Sequence, residues 1–106
     1  MLPHLFENEG PYAPLKKWMD EHANSFGFHL VYTKDHERKG FQYEPWHYSY
    51  LPVSKKNLEL YLKLELESIL KDKNILGEEH FTDEFIQHYL EEYILGISAE
   101  LLLKEE

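Results

Sequence analysis

The aromatic stretch FQYEPWHYSY, residues 41–50, decides how the rest of the chain is organised. It holds five of the sixteen aromatic side chains, and its rings partly alternate with smaller or polar residues. This pattern predicts a strand over residues 41–51. Pro45 is expected to kink the entry of that strand. The alternating rings are Trp46, Tyr48 and Tyr50.

A helix and a further strand are predicted before this stretch. Two prolines precede an apolar stripe of helical spacing, which predicts a helix from about residue 12 that Gly27 ends. The stripe consists of Leu15, Trp18, Met19 and His22. Phe28, Leu30 and Tyr32 then alternate with His29, Val31 and Thr33, which predicts a strand. The charged run 34–40 is expected to be an exposed loop.

Two helices are predicted after it. Residues 57–70 fit both an alternating strand and a helical stripe, but their Leu, Glu and Lys content favours a helix with Ser54 as its N-cap. Thr82 is expected to cap a last helix that stops at Gly96. Its stripe consists of Phe85, Ile86, Tyr89, Tyr93 and Ile94. The predicted fold class is α+β, with an N-terminal helix, a small antiparallel sheet and two C-terminal helices.

Length and composition limit what this protein can be. Its 106 residues are expected to form a single domain, residues 1–106, because domains typically have about 100–150 residues. Residues 54–106, with 6 basic and 13 acidic side chains, are predicted to be an acidic helical extension.

Charge and residue content argue against several classes of partner and site. The net charge of −9 disfavours nucleic acid and anionic membranes. The chain has no cysteine, which excludes disulfides and Cys-ligated zinc. No apolar run approaches the roughly 18 residues of a membrane span. Residues 1–10 lack the pattern of a signal peptide.

Glu44 and His47 place a carboxylate and an imidazole three residues apart. A neutral imidazole is a common zinc ligand, and a nearby carboxylate can deprotonate a zinc-bound water. Residues three apart on a regular strand face opposite ways, so Pro45 must bend the backbone if the two are to converge. From spacing alone, the simpler interpretation is a surface glutamate and an ordinary strand histidine.

Other acidic and histidine residues lie close together near the C-terminus. Glu84 and His88 are four residues apart on a predicted helix, and His80 follows two glutamates at 78–79. These residues suggest either a second metal site or a solvated acidic helix face. The frequency of charged helix surfaces favours the second interpretation.

Residues 43–48, YEPWHY, resemble the signature of the zinc D-alanyl-D-alanine carboxypeptidases. This VanY-like family of hedgehog-fold metallopeptidases includes the vancomycin-resistance carboxypeptidases. The resemblance covers residues 5–100, is strongest at 40–51, and concerns the C-terminal portion of the family's domain. It also includes Trp18, Glu21-His22-Ala23, Gly27-Phe28 and Val31-Tyr32. It implies a partial hedgehog fold in which the sheet carries the Glu44-Pro-Trp-His47 motif.

The resemblance implies specific roles. Glu44 corresponds to the family's general base and His47 to one of its three zinc ligands. The residues expected to shape the substrate cleft are Trp46, Tyr48 and Tyr50. The family's other two ligands, a histidine and an aspartate, precede the helix that begins here near residue 12. We therefore expect the chain to be a fragment or a remnant of the enzyme, inactive alone, because a catalytic zinc normally has three protein ligands.

Two functions follow as hypotheses. The first is a Zn²⁺-dependent hydrolase of peptidoglycan stem peptides ending in D-Ala-D-Ala, located in the cell envelope or periplasm. The alternative is a non-catalytic module that binds a basic protein through the acidic surface of residues 54–106. In either case, the exposed apolar edges of a half-domain favour a homodimer.

Overall fold

A computed structural model of the chain describes residues 1–102. Within this range the protein combines four α-helices with a two-stranded antiparallel sheet, which confirms the predicted α+β class. The elements in chain order are α1 (Ala13–His22), β1 (Phe28–Leu30), β2 (Tyr48–Tyr50), α2 (Leu51–Tyr61), α3 (Leu66–Leu70) and α4 (Asp83–Tyr89). Short 3₁₀ turns occur at Pro3–Phe6, Ala23–Phe26, Glu78–His80 and Ala99–Leu101.

The first predicted helix is confirmed, but its buried face differs from the predicted stripe. α1 continues into the 3₁₀ turn at Ala23–Phe26, and Gly27 ends it with a φ of 89°. Leu15 and Trp18 are exposed, whereas Lys16 is buried. Lys16 tolerates burial because its ammonium group has a carboxylate and a phenol as partners, as described below.

The small sheet is shorter than the sequence predicts. β1 and β2 pair with Phe28 opposite Tyr50 and Leu30 opposite Tyr48. The predicted strand over residues 41–51 is wrong outside β2, because residues 44–47 form a turn and Leu51 begins α2. Proline explains the difference, since its fixed φ and missing N–H suit a turn better than a strand interior.

The predicted helix over residues 57–70 is present as two shorter helices. α2 begins earlier, at Leu51, and α3 follows it after a break at 62–65. The N-cap predicted at Ser54 is wrong, since Ser54 lies inside α2 and Tyr50 is the N-cap residue. Pro52 in the first turn accounts for the earlier start, because proline is well tolerated there.

The last predicted helix has the predicted cap and a different end. The Thr82 hydroxyl accepts a hydrogen bond from the backbone N–H of Phe85 at 3.1 Å, so this N-cap is confirmed. α4 ends at Tyr89 and continues as a π-helical turn over Leu90–Ile94. Gly96 follows this turn at a position where no larger residue fits, because an added Cβ would lie 2.0 Å from the carbonyl oxygen of Glu92.

The C-terminal segment is hydrogen-bonded to the end of β1 and to the loop that follows it. The N–H of Ser98 donates to the carbonyl of Val31 at 2.9 Å. Arg38 donates to the carbonyls of Gly96 and Thr33, at 3.0 and 2.8 Å. The small core consists of Phe6, Ala23, Val31, Pro45, Ile86 and Leu101. None of the helices within residues 1–102 combines the length and the apolar content needed to cross a bilayer.

Candidate functional site

A tight turn at residues 44–47 leads into β2. The N–H of His47 donates to the carbonyl of Glu44 at 3.2 Å, with Pro45 at the second position of the turn and its side chain fully buried. The N–H of Glu44 donates to the carbonyl of Tyr32 at 3.0 Å, and the N–H of Val31 donates to the carbonyl of His47 at 2.9 Å. Both ends of the turn are therefore fixed to the end of β1.

This turn brings the two predicted site residues together. Oε1 of Glu44 lies 3.1 Å from Nδ1 of His47, and the two side chains are 31 % and 47 % exposed. The backbone bends at Pro45, as the sequence analysis required for these two side chains to converge. A carboxylate hydrogen-bonded to one ring nitrogen fixes the tautomer and leaves the other nitrogen as an acceptor for a proton or a metal ion.

Tyr32 is a neighbour of this pair that the sequence analysis did not assign to the site. Its ring meets the ring of His47 edge-on, with centroids 5.2 Å apart at 85°. Burial, followed by the charge of Glu44, raises the pKa of the Tyr32 phenol. The Arg38 guanidinium lies 5.5 Å from the centre of the same ring. The strand alternation predicted over residues 28–33 was the available signal, because it placed Tyr32 beside the motif once the strands paired.

The predicted cleft residues have other neighbours. Strand alternation puts Tyr48 and Tyr50 on the opposite face of the sheet from Ser49. Tyr50 contacts Phe28 with ring centroids 4.9 Å apart. Their assignment to a substrate cleft stays a prediction.

Trp46 and Tyr48 border a different feature, an open apolar groove of about 460 Å³. Trp46 contacts Phe6 there, with ring centroids 5.7 Å apart. The other wall of the groove comes from α1 and includes Leu15 and Met19. The pair Glu44 and His47 does not line this groove.

A smaller pocket lies beside His47. It has a volume of about 210 Å³, and His47 and Ser49 form one side of it. Ser54 also lines it, and its hydroxyl oxygen is buried without a hydrogen-bond partner among residues 1–102. The remaining lining residues are Val31, Tyr48, Leu58, Ile97 and Leu101.

The pair does not complete a zinc site on its own. Within the described part of the chain, no group of three or more histidine, aspartate or glutamate side chains is placed to hold a metal ion. Glu44 and His47 supply one carboxylate and one imidazole, whereas a catalytic zinc takes three protein ligands. Glu44 and His47 therefore fit one part of a catalytic zinc site and do not complete it.

The other acidic and histidine residues form single surface contacts. His88 contacts Glu92 at 3.4 Å rather than Glu84, and His80 contacts Glu79 at 3.5 Å. All these histidine side chains are more than half exposed. Such contacts are typical of a solvated helix face, the interpretation that the sequence favoured.

Comparison with known proteins bears on the same segment. Residues 2–53 match the family model of the VanY D-alanyl-D-alanine carboxypeptidases. The N-terminal part of the chain is therefore similar to this family. The resemblance inferred from YEPWHY is thereby confirmed, and the segment matched to VanY includes the whole turn at residues 44–47 and both strands.

Two curated proteins are similar to a longer part of the chain. A D-alanyl-D-alanine carboxypeptidase of Enterococcus faecium is 34 % identical over 88 residues, which cover 82 % of this chain and 24 % of the relative. The chain thus spans about a quarter of that relative's length. An uncharacterised protein of Haemophilus influenzae is 28 % identical over 93 residues, which cover 88 % of this chain and 70 % of that protein. No solved structure matches the chain significantly.

Proposed function

We propose that the turn at residues 44–47 is the base-and-ligand part of a zinc D-alanyl-D-alanine carboxypeptidase site that hydrolyses peptidoglycan stem peptides. The observation that carries this proposal is the convergence of Glu44 and His47 at 3.1 Å, inside the segment related to VanY. A substrate of this kind would place the working protein in the cell envelope.

The chemistry divides between the two side chains. Oε1 of Glu44 orients the imidazole of His47, so the second carboxylate oxygen is the one available to accept a proton from water. His47 would then use its other ring nitrogen as a metal ligand. A zinc ion held there would lower the pKa of water and polarise the peptide carbonyl.

The same proposal requires ligands from beyond the described residues. One imidazole and one carboxylate do not satisfy a catalytic zinc, so the missing ligands would come from a segment outside residues 1–102. The 106-residue chain by itself would then be inactive.

Zinc titration and a D-Ala release assay test this function. Both are measured on the 106-residue chain and on a version extended upstream by the sequence encoded there. We expect stoichiometric zinc binding and D-Ala release only in the extended version. His47→Ala should abolish the zinc binding, and Glu44→Gln should abolish hydrolysis while zinc remains bound.

Glu37→Gln is the matched control, because Glu37 is an exposed acid in the neighbouring loop and should leave both measurements unchanged. D-Ala release that survives Glu44→Gln would contradict the assignment. An extended version that binds no zinc would contradict it too.

The second candidate is a non-catalytic module that binds a basic protein. The acidic excess of residues 54–106 favours it, with 13 acidic side chains against 6 basic ones. Such a module would bind a polylysine peptide with an affinity that falls steeply with salt, since exposed charges are screened. Stoichiometric zinc bound through His47 would count against it.

A further inference from the structure

We propose that the pocket beside His47 receives a small apolar side chain of the peptide substrate, and that α2 and the C-terminal segment set its size. This inference rests on the proposed peptidase function. It assigns specificity to residues that lie after Val53, outside the segment related to VanY.

The position of the pocket relates it directly to the proposed chemistry. His47 lines the pocket and is hydrogen-bonded to Glu44 at 3.1 Å. A peptide whose scissile carbonyl lay near this pair would have an adjacent side chain within reach of the pocket. The volume of about 210 Å³ is below the roughly 300–1,000 Å³ typical of pockets for drug-sized ligands. It therefore suits one small residue.

The walls decide which side chain would fit. Leu58 comes from α2, and Ile97 and Leu101 come from the C-terminal segment. No Asp, Glu, Lys or Arg lines the pocket. A charged substrate side chain would be buried there without an ionic partner from Asp, Glu, Lys or Arg, which is costly, whereas an alkyl group would gain apolar contact.

One polar group in the pocket lacks a partner. The Ser54 hydroxyl oxygen is buried and makes no hydrogen bond within the described residues. Buried polar groups in proteins are nearly always paired, and an unpaired one calls for an explanation. A backbone N–H or carbonyl of a bound peptide would supply the missing partner.

Polar contacts hold the C-terminal wall against the sheet. Ser98 donates its N–H to Val31 at 2.9 Å, and the ring of His29 lies 2.6 Å from a carboxylate oxygen of Glu100. Leu101 is 3 % exposed. A wall fixed in this way has a defined size, which is what discrimination between side chains by volume requires.

NMR titration of the 106-residue chain with N-acetyl-D-Ala-D-Ala tests the pocket without requiring hydrolysis. We expect shifts concentrated at Val31, Ser49 and Leu58. Leu58→Trp fills the pocket and should weaken binding by about tenfold or more. Leu60→Trp is the matched control, because Leu60 is on the same helix, is 50 % exposed and does not line the pocket.

Two further variants keep the test decisive if Leu58→Trp does not fold. Ser54→Ala should weaken peptide binding severalfold through the lost hydrogen bond. Ile97→Ala should enlarge the pocket and shift preference severalfold towards N-acetyl-D-Ala-D-Leu.

The outcomes separate this inference from the proposed function. Absence of peptide binding to the wild-type chain, or equal affinity in Leu58→Trp and Leu60→Trp, would overturn the pocket assignment. Binding at the pocket without hydrolysis in the extended version would remove the proposed peptidase function and leave the pocket as a peptide site. Hydrolysis by the extended version that Leu58→Trp does not affect would remove the pocket assignment and leave the proposed peptidase function.

Discussion

Lys16 is a buried cation that ties α1 to β2. Its side chain is 10 % exposed, and its ammonium nitrogen lies 2.5 Å from Oδ1 of Asp20 and 3.2 Å from the hydroxyl of Tyr48. Burial by itself lowers the pKa of Lys16, but the hydrogen bonds to Asp20 and Tyr48 outweigh it, and the net shift is upward from 10.5. The charged form is therefore favoured by folding.

The raised pKa of Lys16 predicts a loss of stability in alkali. A group whose pKa is higher in the folded state stabilises the fold fully below its unfolded pKa, here 10.5, and loses that contribution as the pH rises through the folded pKa. Burial also raises the pKa of Tyr32 and Tyr43, which acts in the same direction. The urea midpoint should thus be flat up to about pH 9 and fall above about pH 10.5.

Lys16→Met isolates the contribution of the lysine. We expect this substitution to lower the free energy of unfolding by about 1 to 2 kcal/mol at neutral pH, because the Tyr48 hydroxyl loses a partner. We also expect the loss of stability above about pH 10.5 to be shallower than in the wild type. Lys17→Met is the control, since Lys17 is exposed. Urea denaturation at several pH values measures both. An alkaline slope identical in wild type and Lys16→Met would refute this role.

Among the elements, the turn at residues 44–47 depends on Pro45. Proline restricts the unfolded chain where its fixed φ suits the fold, and this side chain is also fully buried. Pro45→Ala should therefore reduce the free energy of unfolding by about 1 to 3 kcal/mol. It should also weaken the nuclear Overhauser effects between the rings of His47 and Tyr32.

Pro52→Ala provides the comparison for Pro45→Ala. Pro52 also starts an element, but it is exposed in the first turn of α2. We expect Pro52→Ala to reduce the free energy of unfolding by less than about 1 kcal/mol and to leave the contact between the rings of His47 and Tyr32 unchanged. Equal losses in the two variants would show that burial of Pro45 contributes little.

The Thr82 cap gives a second prediction at the level of elements. Thr82→Ala removes the acceptor of the Phe85 N–H, and such losses cost about 0.5–2 kcal/mol. Thr82→Ser keeps the hydroxyl and should retain most of the stability. Hydrogen exchange of the α4 amides, together with urea midpoints, measures the difference. Faster exchange in both variants would mean that the hydroxyl is not what holds the helix end.

Residues with a local physical role were the predictable part of the fold. Gly27 and Thr82 act through their own backbone or hydroxyl, so the helix boundaries they set follow from the sequence. The strand over residues 41–51 failed because aromatic alternation does not distinguish a strand from a turn followed by a strand. Ser54 failed as an N-cap because Pro52 already starts the helix.

The candidate site shows the same division. The convergence of Glu44 and His47 depends on Pro45, which lies between them. The sequence therefore predicted that the two side chains would converge if Pro45 bent the backbone. Tyr32 and Ile97 reach the site only through strand pairing and the return of the C-terminal segment. Such contacts are far apart in sequence, so a local pattern such as the alternation over residues 28–33 predicts the strand but not its partner.

The whole molecule exposes more surface than its size requires. A compact protein of 12.8 kDa has about 6,300 Å² of accessible surface by the usual scaling, whereas this chain has 8164 Å². Its radius of gyration is 16.6 Å, against about 13 Å for a compact chain of 100 residues. Part of this exposed surface lies on residues 60–76, which we call the helical arm. The exposed apolar side chains of this arm are Leu60, Tyr61, Leu62, Leu64, Ile69, Ile75 and Leu76.

The helical arm is the surface through which we predict a homodimer. The chain carries a net charge of −9, but within the arm three lysines balance three acidic residues, so two arms can pack without net repulsion. The excess accessible surface of the whole chain exceeds the roughly 800 Å² per partner of a standard interface.

Sedimentation velocity should therefore detect a dimer whose fraction rises with concentration. Leu64→Glu should shift the chain to monomer, because it places a charge among the exposed apolar side chains of the arm. Leu2→Glu should not, because Leu2 is also exposed but lies outside the arm. A wild-type chain that stays monomeric at all concentrations, or a dimer insensitive to Leu64→Glu, would exclude the arm as the interface.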